Sequence, residues 1–424
     1  MSNNLPFDIQ AEIMNMLPVK SLIQFRSVSK SWKSHIDSSD FIAHYSSQQQ
    51  HLLVRYQDSA DLVEKYVSIA DDDTFPQYKV SLTVPLLVNR IKYPFIIGNS
   101  HGLLCLYDCY HETPMAILWN ISIRKVVAVV VPAVVSDEQD VRYRTTLGFG
   151  VCPGTIDPKI VKVINRWNFK ESTIVPWQVE VFTLSTGAWR SSYSTNIPSQ
   201  TVDLSGLQVD LDGFLYGLAV NWIPRDGGFT FSNVVISFDM TSEEFREINV
   251  PDSLARSMSV RPFHISKLRK SLVVLELDGY KNLFFVWMMD HGHSKSFTKL
   301  FTIYAPDARI LSVLAFRKSG EPMIEIERHC SKPLSPLLVV YEPYSKHIDD
   351  IGINVTSKLP LIVSSYMETL LLVDQPNFIM YDKGKRYLNI HSTGTHLKYT
   401  DNVYFIRSKN PGIPCACRGH QEAE

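Results

Sequence analysis

The stretch "GNSHG" at residues 98–102 carries residue types that suit nucleophilic catalysis. It satisfies the pattern G-x-S-x-G, in which a serine is exposed at a sharp turn between a strand and a helix. The residues that follow, "LLCLYD", have the pattern of a short strand and not of a helix. The sequence therefore favours a β-hairpin turn, and a hydrolase that uses Ser100 is the weakest of the functional alternatives.

Cysteine and histidine residues in two other stretches are potential metal ligands. Cys415, Cys417 and His420 stand close together, but zinc sites usually separate their cysteines by two or more residues and need a fourth ligand. His291 and His293 flank a glycine in a predicted loop, where solvated histidines are the simpler interpretation. The sequence also lacks a phosphate-binding loop and a dinucleotide fingerprint. We therefore expect no metal, no cofactor and no catalytic residue.

The composition is that of a protein that folds around a core. The chain has 424 residues, 45% of them hydrophobic and 20% charged, which is typical of globular domains. Its 19 Tyr, 21 Phe and 7 Trp favour strands. A formal net charge of −1 gives no overall attraction to nucleic acid or to a membrane surface. Neither is therefore an expected partner.

The sequence also predicts where the protein works. "MSNNLPFDIQ" lacks the basic and apolar regions of a signal peptide. The longest apolar run, at 126–135, is too short to span a bilayer and contains proline. Six cysteines are too sparse for a disulfide scaffold in a chain of this length. We expect a protein of the cytoplasm and/or nucleus that is not secreted.

Residues 5–45 carry the only sustained helical periodicity of the sequence. The pattern predicts about three short helices, each below the length of about 12–15 residues at which isolated helices hold in water. Their apolar faces need a further surface, which belongs either to the same chain or to a partner protein. A DNA-reading helical motif is a third alternative, because the basic residues between 19 and 36 have no acidic neighbour there. Acidic residues on both flanks weaken that alternative.

The same residues, "LPFDIQAEIMNMLPVKSLIQFRSVSKSWKSHIDSSDFIAHY", resemble an F-box. Two Leu-Pro pairs stand twelve residues apart, followed by Val-Lys-Ser-Leu, Phe-Arg and Val-Ser-Lys-Ser-Trp. The resemblance implies docking to the Skp-family adaptor of cullin–RING ubiquitin ligases. It implies adaptor contacts at Leu5, Pro6, Ile9, Leu17, Pro18, Val19 and Leu22. Phe25, Val28 and Trp32 are expected to be shared between that interface and the small core of the module.

From about residue 50 the sequence predicts repeated pairs of β-hairpins. An apolar strand that ends at an aromatic residue, a polar turn and a return strand recur with the aromatic residues 40 to 63 positions apart. Kelch-like propeller blades repeat at a similar period of about 50 residues. Six copies predict a six-bladed β-propeller, with an irregular β-sandwich as the alternative. The copies are 117–129, 179–192, 235–248, 284–300, 339–351 and 378–390, and the hairpin signals between them are 99–108, 210–220, 268–280, 317–327 and 364–374.

Residues 95 to 390 also resemble, in the order of their motifs, the F-box-associated domain of the large plant F-box family. "IIGNSHGLLCL", "LWNISIRK" and "ISFDMTSEEFREINVP" are among the segments that match. The predicted organisation is an F-box at 1–45, a connector at 46–94 and a β-domain at 95–395. Residues 51–56 and 65–70 of the connector are candidate strands for closing the ring. A tail at 396–424, its last part disordered, follows the β-domain.

Together the two resemblances imply a substrate-recognition subunit of an SCF-type E3 ubiquitin ligase. The F-box would bind the adaptor and, through it, cullin and RING subunits, while the β-domain would bind a protein substrate. Trp222, Arg225 and Phe229 are candidate substrate contacts, because aromatic residues and arginine dominate binding hot spots. The main alternative is an F-box protein that binds the adaptor without delivering substrates.

Overall fold

The computed structural model of the protein consists of four short helices followed by an all-β domain. It describes residues 5–45, 49–91, 94–108, 113–134, 141–168, 173–192, 194, 196–198, 201–226, 228–255, 263–290, 296–328, 336–356, 359–376, 379–382 and 385–388. The predicted tail at 396–424, with Cys415, Cys417 and His420, lies outside these residues, as do His291 and His293.

Residues 7–44 form the four helices, where the sequence predicted about three. Pro6 and Pro18 stand directly before the first two helices, a position that suits a residue with a fixed backbone angle. The Oγ atoms of Ser29 and Ser38 accept hydrogen bonds from the N–H groups of Trp32 and Phe41 and so cap the last two. The break at Asp37-Ser38 therefore starts a fourth helix. The helices are α1 (Phe7–Asn15), α2 (Val19–Phe25), α3 (Lys30–Ile36) and α4 (Ser39–His44).

The β-domain contains 27 strands in the described residues and two further helical turns, α5 (Leu86–Asn89) and α6 (Asp252–Ala255). The strands are β1 (Gln50–Gln57), β2 (Glu64–Ala70), β3 (Lys79–Ser81), β4 (Phe95–Ser100), β5 (Leu103–Asp108), β6 (Met115–Asn120), β7 (Lys125–Val130), β8 (Val141–Cys152), β9 (Asp157–Asn168), β10 (Thr173–Thr183), β11 (Ala188–Ser191), β12 (Val202–Leu204), β13 (Val209–Leu211), β14 (Phe214–Arg225), β15 (Gly228–Asp239), β16 (Phe245–Asn249), β17 (Phe263–Leu268), β18 (Ser271–Asp278), β19 (Leu283–Met289), β20 (Phe297–Tyr304), β21 (Ala308–Phe316), β22 (Pro322–Arg328), β23 (Leu337–Tyr341), β24 (Ile348–Asn354), β25 (Ile362–Met367), β26 (Ile379–Asp382) and β27 (Lys385–Leu388).

These strands form six sheets that are the blades of a six-bladed β-propeller. Three blades are consecutive antiparallel sheets, β8 to β11, β17 to β20 and β21 to β24, and a fourth contains β12 to β16. The first strands of neighbouring blades lie side by side, for example β4 with β8, β17 with β21 and β25 with β4. The prediction of six blades is confirmed, and the alternative of an irregular sandwich is wrong.

The ring is closed by a blade that combines the two ends of the β-domain. Strand β1 pairs antiparallel with both β2 and β25, so residues 362–367 complete the sheet that begins at residue 50. The hydroxyl groups of Ser68 and Tyr366 lie 2.8 Å apart within it. Asp71, beside β2, accepts hydrogen bonds from the guanidinium group of Arg317 and the N–H group of Lys318 in the preceding blade.

Two predicted hairpins have a different place in the structure. The described residues of the copy at 378–390 form β26 and β27, and β26 adds in parallel to β7, which extends the blade of β4 to β7 to six strands. The sixth blade is therefore the closing blade and not this copy. In 364–374, only the first part is a strand, because residues 371–374 form a turn. The apolar pattern in the sequence predicted strands and turns, but it did not predict that β26 pairs with β7 or that β25 pairs with β1.

Four of the aromatic residues that marked the repeats form the core between the blades. Trp119, Phe182, Phe238 and Tyr341 are completely buried, each in a cluster shared by adjacent sheets. Burial of such side chains stabilises the fold by roughly 1.5–3 kcal/mol each. The repeat visible in the sequence is thus the repeat of the core.

Candidate partner-binding surfaces

The four N-terminal helices, called the F-box module from here on, have a small core of their own. Met14, Leu22, Ile36 and Phe41 are buried in it. The indole N–H of Trp32 donates a hydrogen bond of 2.8 Å to the side-chain oxygen of Gln10 and so ties α3 to α1. Further ties are an ion pair between Arg26 and Asp37 and a ring contact between Phe25 and Trp32.

One side of the F-box module exposes an apolar surface. Helix α1 buries Met14 alone, while its other large apolar side chains reach solvent, and Met16, directly after the helix, is 74% exposed. Exposed apolar side chains concentrated on one helix are typical of a protein interaction surface. We call this surface the α1 face. It consists of Leu5, Ile9, Ile13 and Met16. Phe7 is also partly exposed, but its ring packs against His35, and Val28 is exposed between α2 and α3.

The structure divides the predicted adaptor contacts into three groups. Leu5, Pro6, Ile9, Pro18 and Val28 are exposed; Leu17, Phe25 and Trp32 are half-buried; Val19 and Leu22 are fully buried. A partner can reach the first group directly. Contact with the last group, which stays a prediction, would require the module to rearrange. Ile13 and Met16, which the resemblance did not include, are exposed beside Ile9, and their helical spacing with Ile9 was visible in the sequence.

The buried side of the F-box module packs against its own propeller. Val19 and Leu22 share a cluster with Leu370 and Val373, which follow β25. The N–H group of Val19 donates a 3.0 Å hydrogen bond to the carboxylate of Glu368. The sequence left open whether the module's apolar residues meet the same chain or a partner. The structure shows that its own propeller covers one side and leaves the α1 face free.

Ser100 lies in a β-hairpin, as the sequence favoured. It ends β4, and a two-residue turn leads into strand β5 where a nucleophile elbow needs a helix. Its Oγ accepts a 2.9 Å hydrogen bond from the N–H of Val151 and lies 3.1 Å from Nδ1 of His101. Burial raises the pKa of the neighbouring Asp210 carboxyl to about 6, an effect that a hydrogen bond from Ser100 reduces. This geometry stabilises the contact between blades and does not support the hydrolase alternative.

The candidate substrate contacts lie on a long hairpin of the propeller. Strands β14 and β15 have 12 residues each and pair along their whole length, up to the pairing of Arg225 with Gly228. Near this end Trp222 is half-buried against Phe231, with ring centroids 5.7 Å apart, and Arg225 is exposed. Phe229 belongs to β15, opposite Pro224.

This hairpin points away from the F-box module. Successive connections of an antiparallel blade alternate between its two ends, so the paired strand ends at Arg225 and Gly228 lie at the opposite end of β14 from the turn at 212–213. The corresponding first turn of the β4–β7 blade contains Gly102, where an added side chain would collide with the carbonyl oxygen of Met367. The module packs on the residues that follow Met367. The propeller therefore has a module side and an opposite side.

Two kinds of site have no candidate in the part of the chain that the structure describes. Within it, no three His, Cys, Asp or Glu side chains are grouped so that they could hold a metal ion. No helix there has the length and apolar character needed to cross a membrane.

Comparisons with known families agree with this architecture. The profile of the F-box domain matches residues 2–44, and that of the F-box associated beta propeller domain matches residues 41–359. Among solved structures, a putative 6-phosphogluconolactonase from Bacteroides fragilis aligns with 75% of this chain and 98% of its own at 10% identity. Its TM-score with this chain is 0.34.

Similar sequences come from Arabidopsis thaliana. F-box protein CPR1 is 24% identical over 318 residues, which are 71% of this chain and 73% of CPR1. Two F-box/kelch-repeat proteins of the same plant are 27% and 26% identical, each over 59% of this chain and over 66% and 58% of their own lengths. Because the propeller profile alone covers three quarters of the chain, the protein belongs to the F-box proteins with an F-box-associated β-propeller domain.

Proposed function

We propose that this protein is the substrate-recognition subunit of an SCF-type E3 ubiquitin ligase. The observation that carries the proposal is the α1 face, an apolar surface that the propeller leaves free on a domain matched as an F-box. A Skp-family adaptor with an apolar groove complements this surface. Cullin and RING subunits join through the adaptor, in the cytoplasm or nucleus.

The propeller supplies the second binding surface in this proposal. Its side opposite the F-box module carries the long β14–β15 hairpin, whose Trp222 and Arg225 have the chemistry of binding hot spots. A protein substrate held there is kept close to a separate ubiquitin-conjugating enzyme, which performs the transfer. Tethering raises the local concentration of the substrate and lets this chain act without catalytic residues of its own.

Adaptor binding is tested by titrating a purified Skp-family adaptor with the full chain. The wild type should bind, and the double variant Ile9→Asp/Ile13→Asp should bind at least about 30-fold more weakly, because two charges then lie in an apolar interface. The matched control is Tyr78→Asp/Val80→Asp, which adds the same two charges to exposed apolar residues of the propeller. Equal adaptor binding by both double variants, or none by the wild type, would contradict the proposal.

Substrate delivery needs a separate test in cells. Proteins captured by the Ile9→Asp/Ile13→Asp variant should have longer half-lives when this variant replaces the wild type, because the propeller still binds them but the ligase is absent. Half-lives that stay unchanged for every captured protein would favour a chain that binds the adaptor without delivering substrates.

A further inference from the structure

The connection between β25 and β26, residues 368–376, contacts the propeller on one side and the F-box module on the other. Leu371 and Leu372 are buried in the propeller core between the blades of β4–β7 and β8–β11. Leu370 and Val373 are equally buried but belong to the core of the F-box module. Four consecutive apolar residues thus join two separate cores. We call residues 368–376 the brace.

Side chains of the propeller fix the backbone of the brace. The amide group of Asn120, which is fully buried, donates hydrogen bonds to the carbonyl oxygens of Thr369 (3.0 Å) and Leu371 (2.7 Å). The ammonium group of Lys125 donates to the carbonyl oxygens of Val373 and Gln375. Both side chains come from the β6–β7 hairpin, so the brace is bound along its length to one blade.

The brace in turn holds the F-box module by a polar and an apolar contact. Pro18, which precedes α2, has no polar side chain that can cap the helix, and the Glu368 carboxylate accepts the N–H of Val19 in its place. Leu370 and Val373 fill the module core beside Val19 and Leu22. Near this contact the hydroxyl of Tyr45 donates a 2.7 Å hydrogen bond to the carbonyl oxygen of Leu17.

We propose that the brace fixes the orientation of the F-box module on the propeller and stays in place while an adaptor is bound. The brace covers Val19 and Leu22, whereas the α1 face remains open, so a partner can enter along α1 without displacing it. The part about the adaptor rests on the proposed function; the part about orientation does not. With the brace in place, the position of a bound adaptor relative to the substrate surface of the propeller is fixed by the fold.

The first test removes the apolar contact. Leu370→Asp/Val373→Asp should increase the radius of gyration in small-angle scattering and speed hydrogen exchange in residues 17–25 by about tenfold or more, because the module loses its support. Met367→Asp is the control, since this neighbouring side chain is exposed. The milder pair Leu370→Ala/Val373→Ala keeps the test valid if the charged variant does not fold. If the folded variant has the same radius of gyration and the same exchange rates in residues 17–25 as the wild type, the proposal is overturned.

The second test separates the cap from simple packing. Glu368→Leu should accelerate exchange of the Val19 amide by about 2- to 30-fold, the range expected for losing a helix cap. Glu368→Gln keeps an oxygen acceptor of the same size and should restore most of the protection. Equal exchange in the two variants would show that Glu368 does not position α2.

Adaptor binding then decides whether the brace stays in place. The affinity of Leu370→Ala/Val373→Ala for a Skp-family adaptor should stay within about threefold of the wild type, since residues that share no partner act independently. A tenfold gain in affinity would overturn the proposal, because the brace would then compete with the adaptor. A wild type that binds no adaptor contradicts the proposed function, while the scattering and exchange tests still decide the orientation.

Discussion

The F-box module and the propeller manage their apolar surface in opposite ways. Among the described residues, six large exposed apolar side chains fall within residues 5–28, whereas twelve are spread over all of 49–388. The propeller closes on itself because β25 completes the sheet of β1 to β3, and this pairing covers the edge that β1 would otherwise leave open. The module cannot close in this way with helices of six to nine residues. Its free surface is therefore where the proposed adaptor would complete it.

The comparison predicts the largest loss of stability for a core residue of the propeller. Phe182→Ala removes a fully buried ring that contacts Trp189 and Tyr381, and the closed sheets around it can collapse little into the cavity. We expect the free energy of unfolding to fall by about 3–5 kcal/mol. Urea denaturation followed by fluorescence measures it. A loss below about 1 kcal/mol would show that the blades can move to fill the cavity, contrary to a rigid closed ring.

The repeats of this core were visible in the sequence because each one needs an aromatic residue at the same place. Trp119, Phe238 and Tyr341 are such residues, and the blades around them were predicted correctly. The run Leu370 to Val373 was not, since four apolar residues in succession are also typical of a buried strand. Its outer two residues enter the module core and its inner two the propeller core, with the backbone held by Asn120, which is distant in sequence. The local sequence pattern does not reveal such a long-range contact.

For the candidate site, too, the local sequence pattern located the element but not the packing around it. The resemblance located the F-box and predicted adaptor contacts at Leu5, Pro6 and Ile9, which the structure finds exposed. It could not separate these from Val19 and Leu22, because apolar residues on every face of a short helix follow the same pattern. Only the packing of the propeller decides which apolar face its own chain covers.

Ring closure provides a smaller effect that tests how strongly the propeller depends on it. Asp71→Ala removes the acceptor for Arg317 and for the N–H of Lys318, and the Asp71 side chain is 1% exposed. Unfolding free energy should fall by about 2–3 kcal/mol, because a buried charged partner is lost. Thermal unfolding of the full chain measures the change.

The control is Asp349→Ala, whose ion pair with His347 is largely exposed and should contribute little. If the two variants lose the same stability, the contacts of Asp71 with Arg317 and Lys318 contribute no more than a surface ion pair does. The propeller would then depend on its core alone.

A pH-dependent effect is expected where blades meet at Asp210. Its pKa in the folded protein is about 6, above the ordinary value of 3.8, so folding favours the protonated form. The resulting stability is complete below about pH 4 and is lost as the pH rises through 6. Relative to Asp210→Asn, the wild type should therefore lose about 1–2 kcal/mol between pH 5.0 and pH 7.5.

Urea denaturation of both proteins at the two pH values measures this difference. Asp212→Asn, at an exposed position of the adjoining turn, is the control and should shift the pH dependence little. A stability difference between wild type and Asp210→Asn that is the same at both pH values would mean that the Asp210 carboxyl is not buried from water.

The smallest effect is expected at the α1 face, where the contrast between the two regions is sharpest. Ile9→Ala/Ile13→Ala removes as many carbon atoms as Phe182→Ala, but these two side chains are 45% and 42% exposed to water. Unfolding free energy should therefore change by less than about 0.5 kcal/mol. Urea denaturation beside Phe182→Ala gives the comparison. A loss of about 2 kcal/mol or more would mean that Ile9 and Ile13 support the module's own core. The surface would then be part of the fold, and the strongest structural reason for a partner at α1 would be gone.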